Sequence, residues 1–169
     1  MSAIYGTATY GTIYVIGTGA VVVGNYCSIA GGVQAVTVGH NTRWVTTFPF
    51  SAKEFNKKYK EAEGIKGHPV VHEIIIGSDV WIGQNTTFIG NCEVGDGAII
   101  GANSVVRGKI QPYSINIGNP SMLVAFRFSK LQINQLLKIG WWNWDEGKIR
   151  ANMKLLLSGN IDEFIAANR

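Results

Sequence analysis

The stretch IGSDVWIGQNTTFIGNCEVGDGAIIGANSVV, residues 76–106, carries a period of six. Ile76, Ile82, Phe88, Val94, Ile100 and Val106 recur without a slip, and Gly77, Gly83, Gly95 and Gly101 follow four of them directly. Four residues after each large apolar position comes Val80, Thr86, Cys92, Ala98, Ser104 or Ile110, most of them small. An α-helix, with 3.6 residues per turn, would smear this set around its cylinder. A plain strand of period two has no reason to demand a large residue only every third time. A period of six instead implies a parallel β-helix. Three hexapeptides make one triangular coil, with the aliphatic inward, the small residue near a corner and the glycine permitting the bend. The expected fold class is mainly β, a parallel β-helix with an inserted loop and C-terminal helices.

Upstream, a looser form of the repeat is expected over residues 1–40. Ile4, Tyr10 and Ile16 are spaced by six, and one extra residue shifts the register to Val23 and Ile29. The cysteines Cys27 and Cys92 both fall on small-residue positions and are expected to be buried structural thiols. Residues 41–73 break the repeat with Trp44, a TTFPF run and the charged stretch SAKEFNKKYKEAEGIKG. An insertion must leave a solenoid as a surface loop, where function tends to collect. The coil resumes over 74–118 and ends at Gly118-Asn119-Pro120. Residues 119–169 read as a helical cap over its open end. Ser129 and Gln132 form a capping box, Gly140 stops that helix, and Asp145 caps the next.

The chain has 169 residues, 46% of them hydrophobic and only 15% charged, which suits one domain with a dry interior and flat sides that favour self-association. A net charge of +4 hints at an anionic ligand, but no dense Lys/Arg stripe indicates nucleic acid. No run of apolar residues is long enough for a membrane span. The start, MSAIYGTATYGTIY, shows no signal-peptide pattern, and a reducing cytoplasm is the expected location.

Four segments occur in order: GHNTRWVTTFPF (39–50), GHPVVHEIIIGSDVWIG (67–83), GNP (118–120) and LLKIGWWNWD (136–145). With the hexapeptides they resemble the xenobiotic acetyltransferase branch of the hexapeptide-repeat, left-handed β-helix acyltransferases. That branch includes chloramphenicol and streptogramin acetyltransferases and many O-acetyltransferases of sugars and surface polysaccharides. The resemblance implies a left-handed coil, a homotrimer, acetyl-CoA in a groove between neighbouring coils, an acceptor site shaped by the loop, and one histidine as base.

Transfer of an acetyl group from a thioester to a hydroxyl needs a base for the hydroxyl proton. A neutral imidazole, with an ordinary pKa of about 6.5, suits that at neutral pH and gives roughly 10²–10⁴ in rate. Of His40, His68 and His72, His40 closes the coil before the insertion and matches the family's catalytic position. His68 and His72 are expected to be structural, and no set of ligands completes a metal site. For the acceptor, Asn41, Arg43, Trp44, Phe48 and Phe50 are the candidates. The antibiotic-modifying members would carry Arg and Asp where this chain has Asn41 and Arg43, so a carboxylate is replaced by a cation able to meet an anion. For acetyl-CoA, the resemblance places Trp81 near the thioester, with Gly83, Gly101, Ala102 and Gly118 lining the pantetheine arm. Members often carry a Lys after the GNP turn. Here Met122 and Ala125 stand there, and Arg127 or Lys130 is expected to meet the phosphates.

The resulting expectation is an acetyl-CoA-dependent O-acetyltransferase acting by direct transfer on a sugar or surface-polysaccharide hydroxyl. The alternatives are an antibiotic O-acetyltransferase for chloramphenicol or a streptogramin, and a non-catalytic trimeric β-helix scaffold.

Overall fold

Period-two alternation within each hexapeptide sends side chains alternately in and out, every sixth residue lands at the matching place on the next face, and every eighteenth lands on the same face of the next coil. The computed structural model describes residues 2–169, the side chain of Asn56 excepted. Its coils contribute three stacks of short parallel strands, the faces of a prism. The first face holds Ile4–Tyr5, Val21–Val23, Ile74–Ile76 and the second half of Thr87–Val94. The second holds Ser28–Ile29, Trp81–Ile82, Ile99–Ile100 and Ser114–Ile117. The third holds Ile13–Ile16, Val33–Val36 and the first halves of Thr87–Val94 and Val105–Ile110. Ile82 stacks on Ile100 and Phe88 on Val106.

All six large positions and all six small ones of the strict repeat are buried. Each large aliphatic or aromatic residue so buried contributes about 1.5–3 kcal/mol. The interior polar groups satisfy themselves locally, with the Thr86 hydroxyl donating to the Gly83 carbonyl (2.8 Å) and the Ser104 hydroxyl to that of Gly101 (2.7 Å). Cys27 and Cys92 are free and buried, and burial pushes the Cys92 thiol up to about 12. These are inert packing thiols.

Three expectations need correction. In the first coil, Ile4, Tyr10 and Ile16 face out, at 67%, 65% and 38% exposure. Ile4 pairs with Val22, Tyr10 with Ser28 and Ile16 with Val36, each beside an inward residue of the next coil. A one-residue slip turns every side chain to the opposite face. The true inward set starts with Ala3, Ile13, Val21 and Val23.

The glycines of the repeat do not make the bends. Gly77, Gly83, Gly95 and Gly101 sit where the next coil comes too close for a side chain. A Cβ on Gly83 would lie 2.5 Å from the Ala102 nitrogen, and one on Gly95 would lie 2.5 Å from that of Pro112. The bends are made two residues later by left-handed positions, Asp79, Asn85, Gly97 and Asn103.

Nor do the helices cover the open end. The strand Met122–Phe126 folds back antiparallel on Ser114–Ile117 and covers the last edge of the second face. The helices Lys130–Ile139, Glu146–Ala151, Met153–Leu156 and Ile161–Ala167 pack along one corner, between the first and second faces. Tyr26 and Trp141 meet there with ring centroids 5.0 Å apart, and the Asn25 amide donates to the Trp142 carbonyl. The caps at Ser129 and Asp145 and the left-handed Gly140 are as the sequence indicates.

Candidate active site

The three corners of the prism carry different chemistry. The insertion leaves between the third and first faces, on a short ladder of Val38–Gly39 against Val70–Val71. His40 follows immediately. Its Nδ1 lies 2.7 Å from the Thr47 carbonyl oxygen, a contact that requires the proton on Nδ1. Nε2 is left with the lone pair. His68 Nε2 approaches the same Nδ1 at 3.2 Å, with the rings edge to face at 4.9 Å. The Thr47 carbonyl therefore sets the His40 tautomer, and His68, whose Nε2 can only accept from the same N–H, packs against the ring.

A cavity of about 510 Å³ opens here, lined by His40, Asn41, Thr42 and Arg43 of the loop and by His72, Ile89 and Arg107 of the coil. Two guanidinium groups and no carboxylate are among its lining residues. The Asn41 amide donates to the Gly67 carbonyl (3.1 Å) and its oxygen accepts from the Arg43 N–H (3.0 Å), so Asn41 ties the two ends of the loop together. Trp44 stacks towards His68 at 6.4 Å. Phe48 and Phe50 lie in a second, apolar depression of the loop, packed on each other and on Phe55 and Tyr59 at 4.7–4.8 Å. The structure thus gathers His40, Asn41 and Arg43 at one cavity and puts the phenylalanines into the loop's own aromatic cluster.

The residues expected to hold the acyl donor sit on another corner. Gly83, Gly101 and Ala102 lie at the corner between the second and third faces, with Trp81 exposed on the second face beside them and Gly118 at its last turn. The N–H groups of Gly83 and Gly101 already donate to the Ile100 and Asn116 carbonyls, and that of Gly118 to the Ser104 hydroxyl. These glycines can offer a close approach, but not their amide protons. Within one chain this corner and the His40 corner bound opposite edges of the third face.

Arg127 belongs to the third corner. Its guanidinium pairs with Asp79 (3.1 Å), donates to the Gly97 carbonyl (2.7 Å) and lies over the rings of Tyr113 and Phe128. Those contacts commit it to holding the tail on the coil, away from any phosphate. Lys130, the first residue of its helix, is exposed.

Sequence reasoning missed Thr47, His68 and Arg107 as parts of the His40 site. His68 lies 28 residues from His40, and nothing in a one-dimensional pattern joins them. Arg107 carried a usable signal, since it falls on an outward position of the third face one residue after Val106.

Residues 73–108 match the family described as bacterial transferase hexapeptide (six repeats). Over 139 residues the chain is 42% identical to the "Probable macrolide acetyltransferase" of Lysinibacillus sphaericus, covering 81% of this chain and 77% of that protein. Over 148 residues it is 35% identical to the chloramphenicol acetyltransferase of Agrobacterium fabrum, covering 86% and 70%. Among solved structures, the hexapeptide-repeat acetyltransferase VCA0836 of Vibrio cholerae in complex with acetyl coenzyme A superposes with a TM-score of 0.57 at 20% identity. That match covers 74% of this chain and 60% of the other, and it shows the shared fold. The chain belongs to the hexapeptide-repeat acetyltransferases, in the branch that holds the macrolide and chloramphenicol acetyltransferases. It is an acyltransferase, and its coil is the left-handed parallel β-helix of that family.

Proposed function

We propose that this protein is an acetyl-CoA-dependent O-acetyltransferase with His40 as general base. The observation that carries the reading is the Thr47 carbonyl on His40 Nδ1, which fixes the tautomer and leaves Nε2 basic. Nε2 takes the acceptor's hydroxyl proton as the oxygen attacks the acetyl carbonyl carbon. The carbon–sulfur bond then breaks, and the imidazolium returns the proton to the departing thiolate. Neither buried thiol is placed for an acyl-enzyme route.

The separation of the His40 corner from the glycine corner supports a site shared between copies. In a homotrimer His40 of one copy faces Trp81, Gly83, Gly101 and Ala102 of the next, and Gly118 extends that groove. Apolar residues exposed on the faces, Tyr14, Val22, Ile75 and Trp81 among them, supply surface for such contacts. Mixing His40→Ala with Ala102→Trp, each inactive alone, should recover about one quarter of the wild-type rate when subunits exchange statistically. No recovery in a mixed oligomer would place the whole site within one chain.

The relatives that bear antibiotic names favour a hydroxyl of an antibiotic-type natural product as acceptor, which the sequence had put second. Trp44 and the apolar depression beside it offer surface for such a molecule. A saccharide acceptor carrying an anionic group remains the second reading, supported by Arg43 and Arg107 at the His40 cavity. Thiol release from acetyl-CoA separates the two. Turnover with macrolides, chloramphenicol or streptogramin A compounds supports the first, and turnover confined to acidic or nucleotide-linked sugars supports the second. Arg43→Ala should abolish only the second kind of turnover.

A further inference from the structure

The corner occupied by the helical tail holds a half-open cavity of about 440 Å³ that shares no lining residue with the cavity at His40. Its volume lies in the range of small-molecule pockets, about 300–1,000 Å³. The walls are apolar, with Leu136, Trp141, Ile149, Leu156 and Phe164 from the tail among them. Four ionisable side chains line it, Tyr26, Asp79 and Tyr113 of the coil and Arg127 just beyond it.

The two charged ones are matched. Asp79 and Arg127 pair with each other, and Arg127 also donates to the Gly97 carbonyl. Tyr113 is different. It is 2% exposed, its ring lies against Gly97, and its buried hydroxyl has no hydrogen-bond partner among the described residues. A buried donor left unmatched costs about 1–3 kcal/mol, and a phenylalanine would fill the same space without that cost. The hydroxyl is explained by a partner that brings an acceptor into the cavity.

We propose that this cavity is a second ligand site, for a small, uncharged, mainly apolar molecule with one hydrogen-bond acceptor, which the Tyr113 hydroxyl meets. Charge decides the class. An added anion would face the Asp79 carboxylate, an added cation would face Arg127, and the pair already balances both. The mouth of the cavity runs along Leu157, Ser158 and Gly159, just after the single-turn helix Met153–Leu156, which has no side-chain cap.

The test uses the full chain and two probes of the same shape. Benzophenone has a carbonyl acceptor and cross-links under ultraviolet light, whereas diphenylmethane lacks the acceptor. Benzophenone should bind saturably, with cross-links mapped by mass spectrometry to the Met153–Ile161 segment or to neighbouring wall residues. Tyr113→Phe keeps the ring and should weaken benzophenone roughly 5- to 10-fold, as expected for one hydrogen bond, while leaving diphenylmethane unchanged. Cross-links elsewhere, at the His40 cavity included, would overturn the proposal. So would a Tyr113→Phe variant that binds both probes as the parent does or loses both alike. None of these readouts depends on the acceptor assigned to His40.

Discussion

Two corners of one prism hold an arginine each beside a cavity, and the two arginines have opposite fates. Arg127, on the corner under the helical tail, is ion-paired, bonded to a carbonyl and laid over two aromatic rings. Arg107, on the corner where the loop leaves, faces the His40 cavity alongside Arg43, with no carboxylate among the lining residues. The same repeat builds both places. What differs is what packs on top: a helical tail that buries its corner, or a loop that leaves its corner open with a tautomer-fixed histidine at its centre. A cation enclosed with a partner serves the fold, and a cation at an open cavity is available to a ligand.

The strongest test of this contrast is His40→Ala. It should lower turnover by roughly 10²–10⁴ while leaving acetyl-CoA affinity and the melting temperature close to those of the parent. Steady-state kinetics beside a CoA titration would show it. Unchanged turnover would remove the catalytic half of the comparison.

The opposite result is expected at the other corner. Arg127→Ala leaves the Asp79 carboxylate part-buried and unpaired and removes the bond to Gly97, which should cost about 2–4 kcal/mol in urea unfolding. The kcat of the folded fraction should not move. Asp79 adds a pH signature. Burial raises its pKa above the ordinary 3.8, outweighing the lowering by Arg127. The unfolded chain therefore gives up this proton more readily. The contribution of Asp79 to stability is complete below about pH 3.8 and is lost as pH rises through the raised value. Asp79→Asn should flatten that part of the stability-against-pH curve, and an unaltered curve would show that Asp79 is not the group responsible.

The contrast also explains what could be read in advance. The strict repeat from Ile76 to Val106 was legible because its inward positions, short of the last at Val106, have a neighbouring coil on both sides and are constrained twice. The first coil has a neighbour on one side only. Ile4, Tyr10 and Ile16 lie outside the core there, and their spacing imitated the inward pattern. The bends were assigned to the visible glycines, although Asp79, Asn85 and Asn103 take the left-handed turns and the glycines answer to the coil beside them. The place of His40, where the loop leaves the coil, was legible from the break in the repeat. The Arg127 pair, 48 residues apart, and the His40–His68 contact were not, since both depend on which segments the third dimension stacks.

The smallest expected effect concerns how the loop holds the open corner. Asn41 was expected to touch the acceptor, yet its side chain bonds Gly67 and Arg43 within the loop. If its role is to hold the loop, Asn41→Ala removes about 1 kcal/mol of local order, which exposed hydrogen bonds typically supply. The His40 ring depends on the same loop through Thr47 and His68, so loosening it should lower kcat several-fold for every acceptor alike, with little change in acetyl-CoA affinity. If Asn41 instead binds the acceptor directly, the loss should appear in KM and differ from one acceptor to another. The split between kcat and KM across two unrelated acceptors therefore decides whether Asn41 recognises the substrate or positions the base.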